Sequence, residues 1–110
     1  MKKRATTITL LLSTFPTKRS AEKVARALLQ KRLIACGVLV PKCSSLFMWE
    51  GKIKKTREVL LLCKTSVSTA LQARQVIESI HPYDCPYVAE WNAEATTSYL
   101  EWMTQVQKQN

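Results

Sequence analysis

Residues 44–64, SSLFMWEGKIKKTREVLLLCK, constrain the fold of this chain more than any other stretch. Leu46, Phe47, Met48 and Trp49 run into Glu50-Gly51, and a charged segment then returns to Val59, Leu60, Leu61, Leu62 and Cys63. Two apolar runs hinged at a glycine predict a long β-hairpin, with Gly51 supplying the positive φ that a tight hairpin turn needs. Neither run alternates cleanly between apolar and polar residues, so both faces of the hairpin demand burial.

The remaining segments fit around this hairpin. Residues 6–14 are β-branched and aliphatic, with Ile8, Leu10 and Leu12 on one face and Thr7, Thr9, Leu11 and Ser13 on the other, as in a strand ended by Phe15-Pro16. Ser20 is the expected N-cap of a helix whose stripe is Ala21, Val24, Ala25, Leu28 and Leu29, with Glu22 in its first turn. A second extended segment, 34–40, bends at Pro41 and resumes over 43–49 as the first hairpin arm. After Thr65, Ser66 is the expected cap of a helix carrying Val67, Ala70, Leu71, Ile77 and Ile80, which His81-Pro82 stops. A short strand at 87–91 and a last helix at 97–107, presenting Tyr99, Leu100, Met103 and Val106, complete the chain.

The order β-α-β-β-α-β with an extra C-terminal helix predicts an α+β, ferredoxin-like split βαβ sandwich. It forms one domain over 1–110, with 1–5 a flexible basic tail. Right-handed crossovers put both long helices on one face of the sheet. On the third strand Leu60 and Leu62 oppose Val59, Leu61 and Cys63, so one apolar row is left facing water. Each hairpin arm of about twelve residues would reach roughly 40 Å, beyond a domain whose radius of gyration is near 13 Å. Burying Trp49 alone is worth an upper limit near 4–6 kcal/mol, at about 150–250 Å² for an aromatic and roughly 25 cal/mol per Å². The expectation is a homo-oligomer, with Phe47, Met48, Trp49, Leu60 and Leu62 at its interface.

Charge and cysteine content narrow the function classes. Seventeen Lys+Arg against eight Asp+Glu give +9, which raises the question of a polyanionic partner. The cations are scattered along the chain, however, and the third strand has no aromatic residue where an RNA-recognition motif would stack bases. A specific nucleic-acid partner is therefore not expected, nor is a membrane span. Cys36, Cys43, Cys63 and Cys85 form no Cys-x-x-Cys pair, and free, largely buried thiols in a reducing cytoplasm are the expectation.

Four ordered motifs resemble the CutA divalent-cation-tolerance proteins. They are Ala25-Arg26-Ala27-Leu28 through Leu33-Ile34-Ala35-Cys36, Ser45-Leu46-Phe47-Met48-Trp49-Glu50-Gly51-Lys52, Glu58 through Lys64-Thr65, and His81-Pro82-Tyr83-Asp84-Cys85-Pro86. The resemblance runs from the first strand to Tyr99-Leu100-Glu101-Trp102. It implies a tight homotrimer similar in architecture to the PII signalling proteins, and a role in binding or tolerating divalent metals, chiefly copper. The chain departs from the family pattern at Val38, Phe47, Asp84 and Tyr87, and has Ser13 and Ile80 where some members carry cysteine and histidine.

His81 is the sole histidine, and copper or zinc favours imidazole and thiolate donors. The candidate metal set is His81, Cys36 and Asp84, for Cu²⁺ or Zn²⁺, weighed against a structural His81 that ends its helix and a Cys36 in the core. The alternative is a PII-like sensor with a small ligand in an intersubunit cleft lined by Glu58, Lys64, Tyr83 and Cys85. An enzyme is not expected: nothing orients His81 as a base for a cysteine nucleophile, and Gly37 and Gly51 alone cannot build a phosphate loop.

Overall fold

The computed structural model describes residues 6–108, and the basic tail expected at 1–5 lies outside them. The hairpin is present as β2 (Cys36–Trp49) and β3 (Lys52–Thr65), paired from Cys36↔Lys64 to Trp49↔Lys52. Glu50 and Gly51 turn the chain with φ of 51° and 77°, the two left-handed residues of a type I′ turn, whose twist suits paired strands. Pro41 has no N–H to give to the ladder. The register shifts between Val40 and Cys43, with Lys42 at φ 61°.

Around the hairpin stand β1 (Thr7–Phe15), α1 (Lys18–Gln30), α2 (Ala70–Ile80), β4 (Val88–Glu94) and α3 (Thr97–Gln107). The antiparallel sheet has the order β2-β3-β1-β4, as the ferredoxin-like arrangement requires. Leu11, Phe15, Val59, Leu61 and Cys63 form the sheet side of the main core, and Val24, Ala25 and Leu28 of α1 with Ala73 and Ile77 of α2 form the helix side. Gly37 permits the close approach of α1, because a Cβ there would lie 3.2 Å from the Ala25 Cβ.

Two helix starts differ from expectation. Thr17, not Ser20, caps α1: its hydroxyl accepts from the Ser20 N–H at 3.0 Å, and Ser20 Oγ accepts from the Thr17 N–H at 3.3 Å. Ser20 is the far partner of this capping box. Before α2 the chain makes a turn from Ser66 to Thr69, so the helix starts later and its buried face is Ala70, Ala73 and Ile77. Val67, Leu71 and Ile80 are exposed, and so is Leu29 of α1. At the other end of α1, Arg32 takes φ 57° while Leu33 N–H reaches Leu28 O and Arg32 N–H reaches Leu29 O. This is a Schellman ending without glycine.

The second sheet face is only partly covered. α3 buries Met103 against Ile8 and Ala35 at one end of it, and Lys64 Nζ stands 5.2 Å from the Tyr99 ring centroid. Leu60 and Leu62 remain half-buried, while Val38, Val40 and Trp91 are exposed. The arm of β2 and β3 projects past β1, whose last pair is Phe15↔Val59. The molecule is accordingly 56 Å long with a radius of gyration of 15.4 Å, above the roughly 13 Å of a compact chain this size.

Candidate functional site

Alternation along β3 puts Lys54, Thr56 and Glu58 on the same face as Leu60 and Leu62. Beyond the end of β1 this face is roofed by the loop that links α2 to β4. There Tyr83 donates its hydroxyl to Glu58 Oε2 at 2.9 Å. The result is a cleft of about 510 Å³ lined by Phe47, Trp49, Lys54, Thr56 and Glu58 of the hairpin and by Tyr83, Asp84 and Cys85 of the loop. Four predicted cleft and metal residues thus meet here, and the loop and hairpin that form the cleft belong to the same chain.

Glu58 is 8% exposed, and Tyr83 supplies its one hydrogen bond among the described residues. Burial, and then the Glu58 carboxylate, push the Tyr83 phenol up to about 12, so it stays a neutral donor to an anionic acceptor.

His81 orders the loop. Its Nε2 donates to Thr14 O at 2.9 Å, its Nδ1 accepts from the Tyr83 N–H at 3.1 Å, and its ring stacks on Phe15 with centroids 4.2 Å apart. Burial lowers its pKa, against the raising effects of the Thr14 carbonyl and Glu58. Both nitrogens of the neutral ring are therefore occupied, and a metal would have to displace one of these bonds.

The candidate metal set is not assembled within one chain. Cys36 pairs with Lys64, whereas His81 binds the carbonyl of Thr14, which pairs with Leu60. That separation of four residues along β3 amounts to roughly 13 Å. Among the described residues no group of three or more His, Cys, Asp or Glu side chains could hold a metal ion, so the donors of one chain alone do not fit the implied copper or zinc. Lys64 also lies outside the cleft, held at α3 instead. Of the four free thiols only Cys63 is buried, Cys36 and Cys43 being intermediate and Cys85 exposed.

Sequence reading missed Lys54 and Thr56 as cleft residues, and it assigned Phe47 and Trp49 to the interface alone. The signal was available: positions 54, 56 and 58 share one face by parity, and Phe47↔Lys54 and Trp49↔Lys52 are fixed once the turn is placed at Glu50-Gly51.

Residues 9–106 match the CutA1 divalent ion tolerance protein family. The chain belongs to that family. Among its relatives, the divalent-cation tolerance protein CutA of Thermococcus kodakarensis is 39% identical over 98 residues, covering 88% of this chain and 93% of that protein. Protein CutA of Mus musculus is 37% identical over 94 residues, or 84% of this chain, which spans about half (53%) of the mouse protein's length. A solved structure described as the periplasmic divalent cation tolerance protein CutA from Archaeoglobus fulgidus superposes with a TM-score of 0.86 at 27% identity, covering 92% of this chain and 99% of that one. This CutA1-family chain therefore shares the fold of its relatives along nearly its whole length.

Proposed function

We propose that this chain acts as a cytoplasmic homotrimer in the tolerance of, or response to, divalent metal ions, copper foremost, by binding rather than by catalysis. Family membership supports the role in cation tolerance. The observation that carries the assembly is the apolar surface left uncovered on a single chain. On one face of the arm Leu46, Met48 and Ile53 are 69%, 63% and 75% exposed, and on the opposite face of the sheet the row of Val38, Val40, Leu60 and Leu62 is only partly covered. Monomeric soluble proteins rarely leave large apolar clusters on both faces of one hairpin in water. Light scattering should return three times the 12.5 kDa of one chain, and a monomeric mass would refute the assembly. Four thiols, none in a disulfide, support a reducing compartment. Recovery of the native protein from an oxidising compartment would count against the cytoplasm.

A single-chain copper cage has no support in the donor set, so metal capture would draw on more than one subunit. Calorimetric titration of the assembled protein with Cu(II) and Zn(II) tests this, and absence of heat for both would remove metal binding from the proposal.

A second reading, a PII-like sensor of a small ligand, is supported by the cleft itself, which joins an aromatic wall to a buried carboxylate. Ligands that bind only the folded protein raise its melting temperature. A panel of small metabolites with no effect on Tm would speak against it.

A further inference from the structure

Glu58 is the least compensated charge in the described part of the molecule. The residue is 8% exposed, and no cation among the described residues pairs with it: the described ion pairs join Arg26 to Glu22 and Arg74 to Glu78 and Glu90. The nearby imidazole of His81 is kept neutral by burial. Tyr83 occupies Oε2 only. No buried side-chain polar atom among the described residues lacks a partner, so Oε1, without a protein donor, opens on the cleft that Glu58 lines. An oxygen so placed, with no protein donor of its own, is a ready acceptor for a cation or strong donor that enters the cleft.

The surroundings specify what kind of cation. Asp84 adds a second carboxylate at the cleft, against one ammonium, Lys54, so carboxylates outnumber cations two to one in a chain whose net charge is +9. Lys54 makes no ion pair with either acid among the described residues. Phe47 and Trp49 wall the same cleft, and aromatic faces attract organic cations while also covering apolar stems. A bare metal ion has no apolar stem to lay along the aromatic wall and would find only two carboxylates and the Cys85 thiol as charged or soft donors.

We propose that this cleft binds an organic ammonium or guanidinium ligand, its charged head on Glu58 Oε1 and Asp84 and its apolar stem along Phe47 and Trp49. This rests on the reading of the cleft as a ligand site. It adds the sign of the charge and the chemical class.

The test uses the assembled full chain with n-butylammonium, n-butylguanidinium and butyrate as probes at matched ionic strength, read by Tm and by tryptophan emission. Both cations raise Tm in a dose-dependent way and butyrate does not. Glu58→Gln weakens the cation Kd at least tenfold. Asp84→Asn, at an exposed loop position, weakens it less and keeps the test informative should the Glu58 variant fail to fold. Lys54→Ala strengthens cation binding. A response to butyrate that Lys54→Ala abolishes would overturn the ammonium assignment and leave the cleft as a ligand site. No response to any of the three probes would overturn the ammonium assignment, and a failed metabolite panel on the same sample would then remove the ligand-site reading as well.

Discussion

The Tyr83 hydroxyl meets Glu58 Oε2 at 2.9 Å, and this one bond ties the loop after α2 to the projecting part of β3. It closes one side of the cleft and is the only hydrogen bond from a described residue to a buried carboxylate. Tyr83→Phe should cost about 1.5 kcal/mol, the low end for a bond to a charged group because Tyr83 itself is half-buried. Denaturant unfolding at pH 7.5 measures this, and an unchanged midpoint would mean that water replaces the phenol without loss.

His81 predicts a pH dependence. Its folded pKa is lowered from 6.5, chiefly by burial, so the unfolded chain binds the proton more readily. Its contribution is fully present above about pH 6.5 and is lost as pH falls through 6.5 toward the folded value. The chain has one histidine, so the slope of stability between pH 7.5 and 5.5 reports this group with little interference. His81→Gln should flatten that slope, and a slope of the opposite sign in the wild type would contradict the neutral, doubly bonded ring.

Gln107 fastens α3. Its Nε2 donates to Arg32 O, Thr65 Oγ1 and Thr69 Oγ1, and its Oε1 accepts from the Ser66 N–H. Thr65 is itself fully buried and donates to Leu33 O. Gln107→Leu would leave several of these groups without a partner, at a cost of about 2–3 kcal/mol. Hydrogen exchange should then lose protection over α3 before the sheet. Uniform protection loss across the chain would mean that α3 unfolds only with the whole.

How much of this was legible in the sequence depended on the range of the interaction that decides it. The hairpin turn at Glu50-Gly51, the break at Pro41 and the bounds of α3 follow from local chemistry, which the sequence carries openly. The cap of α1 was displaced because Thr17 and Ser20 are both good capping residues, and the reciprocal bonds choose between them. In α2 the expected stripe held at Ala70 and Ile77, whereas Val67 falls in the turn before the helix and Leu71 and Ile80 lie off the narrow face of Ala70, Ala73 and Ile77. Gln107 was invisible because its partners lie 38 to 75 residues away. Glu58, Tyr83, Asp84 and Cys85, which come from two separate motifs, line one cleft. Cys36 and Lys64 were not separable from them without the strand register.

The cysteines should differ in reactivity. Cys63 is buried, and burial with the neighbouring Cys36 pushes its thiol up to about 12, so almost no nucleophilic thiolate exists at pH 8. Cys85 is exposed. A maleimide should label Cys85 first in the native protein and Cys63 only after unfolding, as peptide mapping would detect. Early labelling of Cys63 would indicate that the sheet opens locally at β3.

Trp49 tests the arm. It stands at the end of β2, 58% exposed, beyond the part of the sheet that the helices cover, so in an isolated chain a charge there would meet water at little cost. In an assembly the side of the indole turned away from the cleft would meet a neighbour, and a carboxylate set at that contact without a partner would cost several kcal/mol at each copy of the interface. Trp49→Asp should therefore dissociate or unfold the oligomer, lowering the mass by light scattering and the Tm together. An equally heat-stable assembly of unchanged mass would show that the arm is not an interface and that the open sheet face alone holds the subunits.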